Sequence, residues 1–187
     1  MAGNWNSGEW CYFRSYLGKD TCEKIINDAL QIPPQDAVVG INGINVALDT
    51  SIRRSKVRFI QRTDPTFEWL FDEMWKMAIE ANDLWFGFHI SKITYIQLAE
   101  YDESYQGHYD KHHDVFWMNN DPQYHRKLTC VVQLTDPNEY EGGNLVLFNQ
   151  NQKIDAEAIK QQGTVIFFPS FIEHQAEKVT KGKRYSK

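Results

Sequence analysis

Three His and two Asp fall within the seven residues His108–Asp114, which read His-Tyr-Asp-Lys-His-His-Asp. On an extended chain side chains alternate between faces, so His112 and Asp114 project together while His113 points away. A third imidazole arriving from elsewhere would complete a two-His-one-carboxylate face on a metal. Such a face leaves coordination positions open, the arrangement of non-haem Fe(II) sites, although Zn, Mn or Co also accept mixed N/O ligands. The run holds two overlapping H-x-D pairs, His108-x-Asp110 and His112-x-Asp114, and spacing alone leaves both open.

The third imidazole has three further candidates. His89 precedes the strand-rich part of the chain, and His125 lies in a polar loop before a strand. His174 opens a strand just after the apolar run Thr164-Val165-Ile166-Phe167-Phe168-Pro169, which suits a ligand reaching the metal from a neighbouring strand. Oxygen chemistry also needs a co-substrate that supplies electrons and a cation to anchor it. Arg184 can make a bidentate pair with a carboxylate and stays charged when buried. On a strand, Ser186 would share its face and could bond the same carboxylate. The plain alternative for Arg184 is a solvated charge in the basic segment 178–187.

These groups must be positioned by the elements around them. An entry strand is expected around Trp10–Phe13. Asp20 and Glu23 form a capping-box pattern. Cys22, Ile25, Ile26, Ala29 and Leu30 then recur at helical spacing until Pro33-Pro34. Gly40 and Gly43 mark a loop or hairpin within Val38–Leu48, and residues 35–50 have no strong period. Ile52–Gln61 reads as one strand. Asp64 with Pro65 opens a second helix, whose stripe is Phe67, Leu70, Phe71, Met74, Met77 and Ala78. After Gly87 the chain turns to short strands without intervening helices: Ile90–Tyr101, Tyr109–Phe116, Lys127–Leu134, Asn144–Phe148, Thr164–Phe168 and Gln175–Thr180. That pattern predicts an antiparallel sandwich or jelly roll, with the earlier helices on one outer face.

The 187 residues predict one domain, with 1–87 as a helical and strand support region and 88–187 as the jelly-roll core. A net charge of −5 argues against nucleic-acid binding through a general basic field. Three cysteines without C-x-x-C spacing suit reduced thiols and a cytoplasmic location. The first residues lack the basic and apolar regions of a signal peptide, and no apolar run is long enough to span a membrane. Oligomeric state leaves no mark on the sequence.

Taken together, the segments resemble the 2-oxoglutarate/Fe(II)-dependent oxygenases, in the prolyl 4-hydroxylase-like branch. Tyr109–Asp114 is similar to that family's Y-x-x-H-x-D. Glu141-Gly142-Gly143-Asn144-Leu145, Gly163–Pro169, and His174 through Val179, Gly182 and Arg184 continue the pattern over about residues 95–187. Ile52-Arg53-Arg54-Ser55 is similar to the region before the barrel. The resemblance implies a double-stranded β-helix in an α+β chain that is mainly β. It implies His112, Asp114 and His174 as metal ligands, with His108 and Asp110 as decoys.

It further implies that Arg184 binds the C5 carboxylate of 2-oxoglutarate, with Tyr101 as the co-substrate tyrosine once one gap is allowed. Gln133 stands where many relatives carry a Tyr on that carboxylate. Fe(II), 2-oxoglutarate and dioxygen are implied, with ascorbate as an accessory reductant. The implied reaction hydroxylates a C–H bond, foremost of a prolyl residue in a protein or peptide. Alternatives are a free amino acid or other small molecule as substrate, or a cupin-like non-oxygenase metalloprotein. The substrate would lie across a groove near Arg53, Arg54 and Trp117, with Val115, Phe116 and Trp117 as candidate wall. A nucleic-acid substrate fits less well, because that branch carries a second arginine after the first. Relatives run on beyond the arginine, so a short closing strand or a truncated chain is expected here.

Overall fold

The computed structural model describes residues 5–6, 8–41, 45–47, 49–115 and 125–187. In chain order the elements are β1 (Trp5–Asn6), β2 (Cys11–Phe13), α1 (Lys19–Leu30), β3 (Gln35–Asp36), β4 (Val39–Ile41), β5 (Asn45–Ala47), β6 (Arg53–Arg54), β7 (Lys56–Ile60) and α2 (Glu68–Ala81). The second half holds β8 (Ile96–Asp102), β9 (His108–His112), β10 (Leu128–Val132), β11 (Tyr140–Gly142), β12 (Leu145–Leu147), α3 (Ala156–Lys160), β13 (Val165–Pro169), β14 (His174–Ala176) and β15 (Val179–Ser186).

From β8 onward the chain alternates between two facing sheets. β8, β10, β13 and β15 lie in the major sheet, and β9, β12 and β14 lie in the minor one. This back-and-forth winding makes a double-stranded β-helix. The major sheet consists of two parts, β1-β2-β13-β10 and β11-β15-β8-β7-β3. They are stitched where Val132 and Lys187 exchange both backbone hydrogen bonds and Gln133 bridges Ser186. The minor sheet has the order β12-β14-β9-β6, and β4 pairs β5 as the hairpin that the two glycines suggest.

The predicted single strand Ile52–Gln61 is two strands. Arg53–Arg54 pairs with β9 in the minor sheet, and Lys56–Ile60 pairs with β8 in the major sheet. The chain crosses between sheets at Ser55, so one segment braces both walls of the site. Strands β2, β3, β6 and β7, all before residue 88, are thus built directly into the sheets.

The helices form where their periodicity places them. On α1, Cys22, Ile25 and Ala29 are buried against the major sheet. Its Asp20–Glu23 capping box does not form. Gly18 is the N-cap and makes no side-chain bond, so Asp20 lies inside the first turn. There its carboxylate still faces the positive end of the helix dipole.

Asp64 does cap. Its carboxylate accepts from the Thr66 N–H, with Pro65 opening a 3₁₀ turn that leads into α2. Leu70, Phe71, Met74, Met77 and Ala81 bury the inner stripe of that helix. It unwinds through a π turn, Asn82–Phe86, where the Asn82 side chain bonds both backbone groups of Phe88. α3 lies outside the predicted elements. Five residues are too few to show a helical period, and Asp155 caps it by accepting from Glu157 and Ala158.

Strand alternation then sorts the core. Val165 and Phe167 face the helices, whereas Ile166 and Phe168 face inward with Trp10, Tyr12, Leu145 and Leu147. A second inner cluster of Val57, Ala99, Tyr101, Ala176 and Val179 fills the other half of the sandwich. At Gly163 (φ +77°) the backbone of Leu17 passes so close that an added Cβ would lie 1.8 Å from the Leu17 carbonyl oxygen. Leu17 N–H donates to the Gly163 carbonyl at this crossing, tying the entry segment to β13.

Candidate functional site

His112 closes β9 and His174 opens β14, and the antiparallel register makes them direct cross-strand partners. Asp114 lies two residues beyond the end of β9. Its position is fixed by its own N–H, which donates to the Ser170 carbonyl at 2.8 Å. The extended alternation therefore survives past the strand end and brings the carboxylate under both rings. Asp114 Oδ2 lies 3.4 Å from His174 Nε2, and Oδ1 lies 3.8 Å from His112 Nε2. Potential ligand atoms of the three residues are all within 4.8 Å of one another, the one such group found among the described residues.

The surroundings fix which atoms face the centre. His112 Nδ1 lies 2.7 Å from the Asp110 carbonyl, and His174 Nδ1 lies 3.0 Å from that of Ile172. A carbonyl only accepts, so Nδ1–H donates and each Nε2 lone pair is left for a metal. Thr129 Oγ1 donates to Asp114 Oδ2 at 2.9 Å and is itself 3.0 Å from Ser170 Oγ. The His112 ring stacks on Tyr109 at 3.4 Å, with the Arg53 guanidinium 4.4 Å over the far side of Tyr109. The edge of Phe168 packs against His174 at 4.8 Å between ring centroids.

Burial, and then the neighbouring His174, push the His112 ring down to about 3 despite the opposing pull of Asp114. Burial would raise Asp114, but His174, His112 and the Thr129 hydrogen bond outweigh it and hold the carboxyl below its ordinary value. A neutral imidazole and an ionised carboxylate are the forms that bind metal.

The other His residues are engaged elsewhere or turned away. His108 is buried with Nδ1 2.8 Å from the Gln106 carbonyl and Nε2 3.3 Å from that of Ser51. Asp110, His113 and His89 are exposed, and His125 is half-buried outside the cluster.

Arg184 is 2 % exposed in the middle of β15, opposite Tyr101 on β8, and its guanidinium lies 5.3 Å over the Tyr101 ring. Nε and Nη2 donate to Gln133 Oε1 at 3.2 and 2.9 Å, while buried Nη1 has no hydrogen-bond partner. An orphan guanidinium donor costs stability unless an acceptor arrives. A carboxylate from a dicarboxylic co-substrate fits that need. Gln133 turns its carbonyl to the arginine and thereby steers it. Ser186 is buried two residues on, bridged to Gln133.

Two lysines of the basic segment are paired with carboxylates: Lys183 meets Asp102 and Glu100, and Lys181 meets Glu141. Of the candidate substrate wall, Val115 is half-buried, whereas Phe116 and Trp117 lie outside the described residues. Arg54 is exposed beside the Tyr105 carbonyl. Sequence reasoning missed Thr129 and Ser170. No motif marks them, because their role depends on β10 and the end of β13 flanking Asp114.

A two-His-one-carboxylate cluster and a buried arginine between the sheets of a double-stranded β-helix define the class. Residues 96–187 match the 2OG-Fe(II) oxygenase superfamily. Fe(II) and 2-oxoglutarate are the metal and co-substrate of that superfamily. Among individual proteins, a PKHD-type hydroxylase of Aliarcobacter butzleri is 30% identical over 131 residues, 67% of this chain and 55% of that protein. Another, from Sphingopyxis alaskensis, is 33% identical over 78 residues, 41% of this chain and 35% of that protein. The chain thus spans about half the length, or less, of the curated relatives it matches.

Solved structures share the fold. A prolyl-4-hydroxylase of Pseudomonas putida superposes with a TM-score of 0.70 at 15% identity, covering 96% of this chain and 90% of that one. A prolyl hydroxylase of Trichoplax adhaerens, solved with a hypoxia inducible factor peptide fragment, gives 0.72 at 19% identity, covering 96% and 81%. Among the described residues no helix is long and apolar enough to cross a membrane.

Proposed function

We propose that this chain is one catalytic domain of a 2-oxoglutarate- and Fe(II)-dependent dioxygenase that hydroxylates a prolyl residue of a protein or peptide. The reading is carried by one observation. His112, Asp114 and His174 gather in a triangle on the inner wall of a fold whose opposite sheet holds a buried arginine with an orphan donor. His112 Nε2, His174 Nε2 and Asp114 would hold the iron, and Arg184 Nη1 would take the distal carboxylate of 2-oxoglutarate. The bound iron supplies oxidising power: dioxygen is split between 2-oxoglutarate, which leaves as succinate and carbon dioxide, and a substrate C–H bond, which becomes C–OH.

The protein's own residues orient and exclude. The Asp110 and Ile172 carbonyls hold the imidazole tautomers. Thr129 and Ser170 fix Asp114, and Gln133 with Tyr101 fixes Arg184. The prolyl assignment is favoured by the resemblance in fold to prolyl hydroxylases and by the PKHD-type hydroxylase relatives. The test is purified protein with Fe(II), 2-oxoglutarate and a proline-rich peptide, reading succinate and a one-oxygen mass gain. Succinate with peptide oxidation supports the proposal. Succinate without it removes the prolyl assignment. If succinate does not form and 2-oxoglutarate does not bind with metal present, the oxygenase reading fails.

A further inference from the structure

Tyr140, on β11, is buried at 4 % exposure and pairs with Gly182 of β15, two residues before Arg184. Residues two apart on a strand share a face, so Tyr140 and Arg184 are diagonal cross-strand neighbours. Their face is the inner one, since Arg184 stands opposite Tyr101 of the inner cluster. An aromatic ring and a long side chain can bridge that diagonal, and Gly182 puts no side chain between them. Gly143 is where they meet. A Cβ there would lie 3.2 Å from Arg184 Cδ and 3.5 Å from Tyr140 Cε2, so the arginine stem and the ring edge converge over one glycine. From α3, Lys160 sets its ammonium 4.9 Å from the Tyr140 ring centroid.

The register also gives the depth. Ser186 bridges Gln133 in antiparallel sense, and Thr129, which holds Asp114, lies four residues back along β10. β15 therefore runs toward the metal-ligand cluster, and the Gly182–Tyr140 level lies about 7 Å farther from it than Arg184. A molecule that reaches from His112, Asp114 and His174 to Arg184 meets Tyr140 at the end of its path.

The chemistry of the two groups suits one end of a ligand. A guanidinium only donates, so a phenol beside it can meet it only through oxygen lone pairs and keeps its own O–H for another acceptor. Burial pushes the Tyr140 phenol up, against the pull of the Arg184 guanidinium, so it stays protonated at neutral pH. Arg184 Nη1 is likewise buried without an acceptor. Two donors, with the Lys160 charge beyond them, suit an anion, and a carboxylate has lone pairs for both.

We propose that Tyr140 sets co-substrate specificity: it closes the deep end of the pocket and donates its phenol to the distal carboxylate of 2-oxoglutarate beside Arg184. This rests on Arg184 as the anchor of that carboxylate. It adds a limit of length. A dicarboxylate one methylene longer presses its carboxylate into the ring, and a keto acid without a second carboxylate gains nothing from the phenol.

The experiment titrates the full chain, loaded with Mn(II), with 2-oxoglutarate, 2-oxoadipate and 2-oxobutyrate. Dissociation constants are read from the rise in thermal midpoint, and the midpoint without ligand reports any structural cost separately. Tyr140→Phe keeps the ring and loses the donor. It is expected to weaken 2-oxoglutarate by about tenfold or more, as for a hydrogen bond to a charged group, and to leave 2-oxobutyrate unchanged. Tyr140→Leu shortens the floor and should narrow the preference for 2-oxoglutarate over 2-oxoadipate by about tenfold, the scale on which pockets tell one methylene. Unchanged 2-oxoglutarate binding in Tyr140→Phe, equal weakening of 2-oxoglutarate and 2-oxobutyrate, or an unchanged preference in Tyr140→Leu overturns the proposal. A native chain that binds 2-oxoglutarate no better than 2-oxobutyrate shows instead that Arg184 anchors no distal carboxylate, and the co-substrate reading falls first.

Discussion

His174 stands directly across from His112 in the β9–β14 register, with ring centroids 4.2 Å apart. The two residues are far apart in sequence, and this single pairing makes His112, rather than His108, part of a metal-sized cluster. His108 lies on the same strand two turns of the pleat earlier, where its partners are the Gln106 and Ser51 carbonyls. A change of His112 or His174 to Ala is expected to abolish Co(II) binding followed by visible absorption. His108→Ala should retain it, with stability lowered by about 1–2 kcal/mol from the lost hydrogen bonds. The opposite pattern would show that the H-x-D pair is wrongly chosen.

Thr129 holds Asp114 without touching the metal position itself. Thr129→Val keeps the shape but removes the donor to Asp114 Oδ2. Metal affinity should fall by about 10–100-fold, the range for groups that orient a ligand. Thr129→Ser, which restores the hydroxyl, should recover most of it in a calorimetric titration with Mn(II).

Gln133 gives Arg184 two acceptor contacts through a single oxygen. Gln133→Leu strands those donors in a buried place and is expected to cost about 1–3 kcal/mol in urea unfolding. 2-Oxoglutarate should also restore more stability to the variant than to the native chain, because its carboxylate reaches a less satisfied guanidinium. Equal stabilisation of both by the co-substrate would mean that Arg184 does not bind it.

Asp102 and Lys183 are cross-strand partners joined at 2.9 Å, one residue from the Tyr101–Arg184 pair. Burial alone would raise the Asp102 carboxyl, but the Lys183 and Ser104 hydrogen bonds outweigh it and lower the pKa from 3.8 to about 2. A folded-state value below the unfolded one stabilises the protein above the unfolded pKa, and that contribution is lost as pH falls through the folded value. Asp102→Asn should therefore flatten part of the loss of stability between 3.8 and 2. Urea midpoints across that window test it, and an unchanged slope would remove Asp102 as the cause. Lys183 is 41% exposed, so solvent screening keeps the effect small.

Gly163→Ala meets both a left-handed backbone and the Leu17 carbonyl. We expect a loss of about 3 kcal/mol or more and a clearly lower Tm in calorimetry, since neither backbone segment can give way cheaply.

What the sequence determined by itself is local. The helical stripes of α1 and α2, the Asp64 cap, and the strands bearing Tyr101 and Val165 to Pro169 follow from short-range periodicity and turn chemistry, whereas the expected strand Gln175–Thr180 stops short of Arg184, which lies in β15. Residue types and spacing left both H-x-D pairs open, and the resemblance to a known family singled out 112, 114, 174 and 184. Some expectations failed for the same local reason: the Asp20–Glu23 box lost to a helix capped two residues earlier, at Gly18, and the strand over 52–61 divides at Ser55. Only the tertiary structure decided which groups hold the site groups in place. Thr129 reached Asp114, Gln133 turned its carbonyl to Arg184, and Arg53 stacked behind Tyr109 through pairings between distant segments. Their register is set by burial across whole sheets, so no spacing within one stretch of chain can announce it.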